Sequence, residues 1–125
     1  MAMASPIDVF LVSMLVLNLL TVTTSQAGDP AMPNQAETKF CVPKPEVDDK
    51  TLQTNIDYAC GSNVVDCNPI KVGGDCFEPD TLKSHATFAM HAYYVANGRN
   101  DHNCDFASSG MLTTQNPSYD RCVYQ

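Results

Sequence analysis

Hydrophobic positions recur at helical spacing in two segments of the chain. In the first segment, Leu52, Ile56 and Ala59 stand at i, i+4 and i+7, which is the repeat of one face of an α-helix. Asp48 precedes this pattern and suits the N-cap position, and Gly61 follows it and stops it. The pattern predicts a helix over 48–59 that begins at Asp48 or the residue after it.

The second segment predicts a helix over 81–96, with Asp80 as N-cap and Gly98 in the left-handed position that follows a helix end. Successive residues of a helix turn by about 100°, so one stripe of side chains is expected to face the core. That stripe consists of Leu82, Ala86, Ala89, Tyr93 and Ala96, flanked by His85, Met90 and Ala92. Phe88 and Tyr94 lie at opposite edges of this stripe, while Ser84, Thr87 and His91 are expected to point away from the core.

The last part of the chain has the composition of strands rather than helices. Residues at 110–114 and 121–124 favour β-structure, and they flank a turn at 116–119 that contains Pro117. This arrangement predicts a short antiparallel pair between the two segments. With two helices and long loops between them, the predicted fold class is small α+β.

An apolar run at 9–20 is the length of a signal-peptide core and is short for a bilayer span. Ser25 and Ala27 fit the small-residue pattern before a cleavage site, so a signal peptide is predicted over 1–27. The segment before the run carries Asp8 and no basic residue, which keeps an uncleaved hydrophobic anchor as an alternative.

The predicted mature chain has a polar, flexible leader at 28–39 and one folded domain at 40–125. It carries seven basic and thirteen acidic residues, the fourteen of the whole chain less Asp8, and its net charge is −6. Because no basic patch is present, we expect neither nucleic acid nor an anionic membrane surface as a partner. No hydrophobic tail follows Cys122, so we expect no membrane anchor and a soluble monomer.

All six cysteines follow the predicted signal peptide. They are Cys41, Cys60, Cys67, Cys76, Cys104 and Cys122. An even number of cysteines in a short exported chain indicates disulfides, which a domain with so small a core needs for stability. The sequence therefore predicts three disulfides and a secreted protein, although spacing alone leaves fifteen possible pairings open.

Side chains with catalytic or metal-binding chemistry are few. His85 and His91 are six positions apart, which places them on different sides of the predicted helix, and disulfide-bonded cysteines offer no thiolate to a metal. The chain has no Gly-x-Ser-x-Gly motif, and a domain of this size hardly provides a cleft flanked by two carboxyl groups. We therefore expect no metal, no cofactor and no enzymatic activity.

Aromatic residues are more numerous around the second predicted helix than its core stripe can use. Tyr93 and Tyr94 are adjacent, so their side chains leave the helix in different directions. A tyrosine offers a flat apolar face and a hydroxyl, which suits stacking on a sugar ring and hydrogen bonding to its hydroxyls. The alternative is that Tyr94 and Phe88 pack on neighbouring loops.

Several short segments together point to a known family. They are FCVPKP at 40–45, NIDYAC at 55–60, Asp66-Cys67 with Pro69-Ile70, Cys76-Phe77, HATFAM at 85–90, Tyr93-Tyr94, Gly98-Arg99, CDF at 104–106 and Asp120 with Cys122. With these segments, and with all six cysteines at family spacing, the chain resembles plant carbohydrate-binding module family 43, also called the X-eight domain. The likeness runs over 40–124 and is strongest to the short stand-alone pollen type.

The resemblance implies a secreted module that binds β-1,3-glucan, such as callose or laminarin, at the plant cell wall without cleaving it. It also implies the pairing Cys41–Cys104, Cys60–Cys67 and Cys76–Cys122. Our hypothesis is that Tyr93, Tyr94 and Phe88 form a stacking platform. The candidates for its polar rim are Tyr58, Asn55, His85 and His91.

Three positions depart from the family pattern, which usually has Trp at Phe40, Tyr at Phe88 and Asn at His91. A hydrogen bond lost through any of these changes is worth about 0.5–1.5 kcal/mol, so we expect weaker glucan affinity or a shifted linkage preference. The departures at Phe88 and His91 also support the alternative, a secreted protein-interaction or defence factor that keeps the scaffold with little glucan affinity.

Overall fold

The structure is a computed structural model that describes residues 37–125. The predicted signal peptide and residues 28–36 of the predicted leader lie outside the described residues. Within 37–125, no helix has the length and apolar character needed to cross a bilayer.

Helix α1 spans Asp49–Cys60, which confirms the first predicted helix. The Asp48 carboxylate accepts a hydrogen bond from the backbone N–H of Thr51 at 2.9 Å, the usual arrangement of an N-cap. Hydrogen bonding from the Thr51 side chain, and then from the Thr51 backbone N–H, lowers the pKa of Asp48 because it favours the charged form. The buried residues of the helix are Leu52, Asn55 and Ala59.

Helix α2 spans Leu82–Ala96, within one residue of the prediction. Its N-cap is Thr81, whose hydroxyl accepts a hydrogen bond from the backbone N–H of Ser84 at 3.1 Å. The prediction of Asp80 as the cap was wrong, because the extended backbone that a cap adopts occurs at Thr81, one residue later. Gly98 follows the helix end with a φ of +85°, the left-handed conformation predicted for it.

Strand β1 (Phe40–Pro43) pairs antiparallel with strand β2 (Gly110–Thr113), the first residue of each opposite the last of the other. Strand β2 coincides with the first predicted strand, but the predicted partner at 121–124 was wrong. The disulfide between Cys41 and Cys104 holds β1 beside the segment that leads into β2. Two helices, an antiparallel pair and disulfides confirm the small α+β class.

Three disulfides join the cysteines as the resemblance implies: Cys41–Cys104, Cys60–Cys67 and Cys76–Cys122. The bridged residues are 63, 7 and 46 positions apart, respectively. Closing a longer loop removes more entropy from the unfolded chain, so the first and third bridges are expected to stabilise the fold most.

The face of α2 that enters the core differs from the predicted stripe. Tyr93 is half-buried and Ala96 is exposed, whereas Tyr94 and His91 are only 2% and 4% exposed. The expectation that His91 points away was wrong because β1 covers this side of the helix. There the backbone N–H of Cys41 donates a hydrogen bond to Nδ1 of His91 at 3.2 Å.

The buried side chains form two clusters. The first lies between the two helices and β1 and contains Cys41, Leu52, Ala86, Met90, Tyr94 and Cys104. The second contains Phe40, Cys76, Cys122 and Tyr124, with Phe88 packed against it. The first cluster includes residues of α2, and Phe88 of α2 packs against the second, so this helix is covered on two sides.

Candidate functional site

Three aromatic rings meet where the two helices approach the loop that precedes β2. Tyr58 lies in the last turn of α1, Tyr93 in the last turn of α2, and Phe106 in the loop. The ring centroid of Tyr93 is 5.5 Å from that of Tyr58 and 5.5 Å from that of Phe106. The planes cross at 73° and 66°, the edge-to-face arrangement that aromatic pairs favour. We call these three residues the aromatic triad.

The aromatic triad lines an open cleft of about 460 Å³, which falls within the roughly 300–1,000 Å³ of small-molecule sites. Tyr58 is 58% exposed, so its ring is accessible from solvent. Polar side chains complete the cleft wall, and they are Thr54, His102, Asn103 and Asp105. The cleft therefore combines accessible aromatic surface with hydrogen-bonding groups.

The hydroxyl oxygens of Tyr58 and Tyr93 lie 3.4 Å apart, beyond the roughly 2.5–3.0 Å of a strong hydroxyl hydrogen bond. The contact with Tyr58, and then burial, raise the pKa of Tyr93. The Tyr93 hydroxyl consequently stays protonated at neutral pH and can both donate and accept. This pair of hydroxyls suits a ligand that carries hydroxyl groups of its own.

The loop that carries Phe106 has an unusual backbone. Phe106, Ala107 and Ser108 have φ angles of 44°, 53° and 69°, in the left-handed region that residues other than glycine rarely adopt. Two hydrogen bonds hold this conformation: Ser109 Oγ donates to the Phe106 carbonyl at 2.6 Å, and Asn55 Nδ2 donates to Ser109 Oγ at 2.8 Å. Asn55 on α1 thus fixes the loop that presents the Phe106 ring.

Comparison with protein-family models matches residues 39–111 to the X8 domain, which is more than half of the chain. The matched stretch contains β1, both helices and all three residues of the aromatic triad. The chain belongs to the X8 domain family. This assignment confirms the family indicated by the sequence.

Several curated proteins are similar to this X8 domain. The major pollen allergen Ole e 10 of Olea europaea is 44% identical over 104 residues, which are 83% of this chain and 85% of the allergen. Plasmodesmata callose-binding protein 5 of Arabidopsis thaliana is 40% identical over 106 residues, 85% of this chain and 57% of that protein. A glucan endo-1,3-beta-D-glucosidase of Olea europaea is 48% identical over 108 residues, 84% of this chain but 23% of the glucosidase. The chain thus spans less than two thirds of the last two relatives.

Of the residues predicted to bind carbohydrate, the X8 domain brings Tyr58, Tyr93 and Asn55 to the cleft. Asn55 lines the wall but is only 5% exposed, and its amide is engaged with Ser109. It therefore positions the loop and does not offer its amide to the cleft as the two tyrosines offer their hydroxyls.

Tyr94, Phe88 and His91 lie elsewhere, with Phe40 and Tyr124, in a group that we call the closed cluster because all of its rings except that of Phe88 are buried. Phe88 is half-buried, and together with the edges of His91 and Tyr124 it lines a separate open hollow of about 310 Å³. The His91 ring centroid is 5.3 Å from that of Phe40, 5.9 Å from that of Tyr94 and 5.5 Å from that of Tyr124. Phe88 packs edge-on against Tyr124 at 6.3 Å. All three departures from the family pattern are thus in this closed cluster, away from the residues that line the cleft.

His85 is also apart from the cleft. Its Nε2 lies 2.7 Å from the backbone oxygen of Phe77, and its ring stands 5.4 Å from the Phe77 ring. These contacts fix His85 against the segment that precedes α2.

Sequence reasoning missed Phe106, which completes the aromatic triad. A single aromatic residue in a loop has no periodic pattern that reveals its direction. The available signal was its place two residues after Cys104, whose bond to Cys41 brings the loop beside the helices. Within 37–125, no group of three or more His, Cys, Asp or Glu side chains is arranged to hold a metal ion.

Proposed function

We propose that this X8 domain binds β-1,3-glucan without cleaving it, and that the aromatic triad is its binding surface. The observation that carries the proposal is the exposed Tyr58 ring beside the Tyr93 hydroxyl in an open cleft. A sugar ring has an apolar face and a rim of hydroxyls. Aromatic faces and tyrosine hydroxyls are complementary to both.

The names of the relatives favour the same ligand. One relative is named for binding callose, which is a β-1,3-glucan, and another is named as a glucan endo-1,3-beta-D-glucosidase. The stretch that this chain shares with each of them covers 85% and 84% of its length, respectively. We therefore assign the shared stretch to recognition of the polysaccharide.

The cleft favours binding over hydrolysis. Asp105 is the one carboxylate among the residues that line it, whereas glycoside hydrolysis ordinarily uses a pair of carboxyl groups. Asp105 also accepts a hydrogen bond from the backbone N–H of Ser108 at 3.1 Å, so its role is to hold the Phe106 loop. An uncharged polysaccharide also suits a chain whose net charge is negative.

We include secretion, a place in the cell wall and a monomeric state in the proposal. Three disulfides are typical of proteins that fold in an oxidising compartment. The long apolar run at 9–20 is the sequence feature that would direct such export.

The test is titration calorimetry of the full chain, produced through a secretory pathway, with laminarin, and with cello-oligosaccharides as the linkage control. We expect saturable binding to laminarin, and Tyr58→Ala to weaken it about tenfold, or ~1.4 kcal/mol. Tyr58→Phe keeps the ring, so it separates stacking from hydrogen bonding. A folded protein that does not bind laminarin contradicts the proposal and favours the protein-interaction alternative.

A further inference from the structure

A second cleft adjoins the aromatic triad. It has a volume of about 550 Å³ and shares Tyr58 and Tyr93, but no other residue, with the first cleft. The first cleft extends from these tyrosines toward Thr54, one helical turn earlier on α1. The second extends toward Ser62, beyond the end of α1, and toward Asn97, beyond the end of α2. Tyr58 and Tyr93 therefore stand between two hollows of one longer surface.

The second cleft also has the mixture of groups that a sugar requires. Asp57 is exposed at its wall, and Oδ1 of its carboxylate accepts from Gln53 Nε2 at 2.9 Å, which leaves further acceptor capacity. Val64 is 52% exposed and supplies apolar surface. Ser62 and Asn97 add a hydroxyl and an amide.

The hydrogen bonds inside this wall show that it is a fixed surface. The Ser62 hydroxyl donates to the Ala59 carbonyl at 2.6 Å, and Asn97 Nδ2 donates to the Tyr93 carbonyl at 2.8 Å. These bonds cap the last turns of the two helices. The disulfide between Cys60 and Cys67 closes the same turn covalently. A wall that is already ordered loses little entropy when a ligand binds.

We propose that the second cleft is an additional sugar subsite, so that the X8 domain binds an internal stretch of a glucan chain that passes over Tyr58 and Tyr93. The inference rests on the proposed function. A surface that continues past the two tyrosines on both sides fits a chain that enters at one end and leaves at the other. Asp57, Ser62, Val64 and Asn97 then contact glucosyl units that a short oligosaccharide does not reach.

The experiment compares laminaritriose with laminarihexaose by titration calorimetry on the full chain. The second-cleft variant is Asp57→Ala/Val64→Ala. The matched control is Glu46→Ala/Val72→Ala, which removes one exposed carboxylate and one exposed valine from positions outside both clefts. Melting temperatures of all proteins establish that each variant is folded.

We expect the parent to bind the hexaose about tenfold more tightly than the triose. The second-cleft variant should lose most of that advantage and retain the parent's triose affinity, while the control variant matches the parent for both ligands. The subsite is refuted by equal parent affinities for the two oligosaccharides, or by an unchanged hexaose affinity in the second-cleft variant. In either of those cases, the proposed function still holds if the parent binds the triose and Tyr58→Ala loses that binding. Absence of all binding by the parent overturns both.

Discussion

Tyr93 and Tyr94 are neighbours on helix α2, yet they lie in regions with opposite properties. Tyr93 belongs to the aromatic triad, where an open cleft exposes ring surface and places its hydroxyl 3.4 Å from that of Tyr58. Tyr94 belongs to the closed cluster and is 2% exposed. Its ring packs against His91 and lies 5.8 Å from the guanidinium carbon of Arg99. We therefore expect the same type of side chain to serve binding at position 93 and stability at position 94.

The difference arises from what covers each side of the helix. Strand β1 and the C-terminal residues lie over the side of His91 and Tyr94, where the backbone N–H of Cys41 and the oxygen of Gln125 bond to His91. The end of α1, the Phe106 loop and the residues His102 and Asn103 before that loop approach the side of Tyr93, and they leave a cleft. The elements that pack over each side of α2 thus decide which of the two adjacent tyrosines is buried and which is accessible.

The largest effect on stability should come from removing a disulfide, and the loss should depend on the length of the loop that the disulfide closes. Replacing both Cys41 and Cys104 by alanine opens a loop of 63 residues and is expected to cost about 4 kcal/mol in the free energy of unfolding. The same change at Cys60 and Cys67 opens a loop of seven and should cost about 2 kcal/mol. Denaturant unfolding measures both values. Equal losses would show that bridge position, and not loop length, decides stability in this fold.

The next largest effects come from replacing each of the two tyrosines by alanine, which should change stability at one position and laminarin affinity at the other. Tyr94→Ala removes a buried ring and should cost about 3 kcal/mol of stability, with laminarin affinity retained wherever the protein remains folded. Tyr93→Ala removes a half-buried ring and should cost only about 1 kcal/mol, but laminarin binding should weaken about tenfold. Thermal melts and calorimetry on the two variants give the comparison. The division fails if Tyr94→Ala, still folded, binds laminarin less well than the parent.

The two helices were predictable because their signals are local. The Asp48 cap and the spacing from Leu52 to Ala59 act within one or two turns, so no knowledge of distant contacts was needed. The strand partner was not predictable in this way. Two segments, 40–43 and 121–124, were both suitable for pairing with 110–113. The choice between them depends on a bond between residues 63 positions apart.

The candidate site was predictable only in part, for a related reason. Helix α2 has apolar residues on more than one side and contacts both buried clusters. No single stripe of apolar residues therefore identifies its core face. The prediction therefore placed Tyr93 in the core and exposed His91, and the structure exchanges these roles. Tyr58 was assigned to the rim of the site, and Phe106 was absent from the prediction because a loop residue has no period.

The smallest expected effect is a loss of stability at acidic pH, which we attribute to His91 in the closed cluster. His91 Nδ1 accepts from the backbone N–H of Cys41, and Nε2 lies 2.8 Å from the oxygen of Gln125, so the fitting form is neutral with its proton on Nε2. Burial is the main cause that lowers the pKa of His91; the charge of Arg99 also lowers it, while the Gln125 oxygen opposes the shift. In the unfolded chain the pKa of a histidine is about 6.5. Below that pH the unfolded chain binds a proton that the folded chain resists, so the free energy of unfolding should fall as the pH falls, until the folded pKa is passed.

His91→Asn places the usual family residue at this position and tests the assignment. The variant should lose the fall in stability between about pH 7 and about pH 5 that the parent shows. His102→Asn removes an exposed imidazole instead and should keep that fall. Because His91 belongs to the closed cluster, His91→Asn should also leave the laminarin affinity at neutral pH unchanged. A marked gain in affinity would mean instead that the closed cluster communicates with the aromatic triad through α2, and the separation between the two tyrosines would no longer hold.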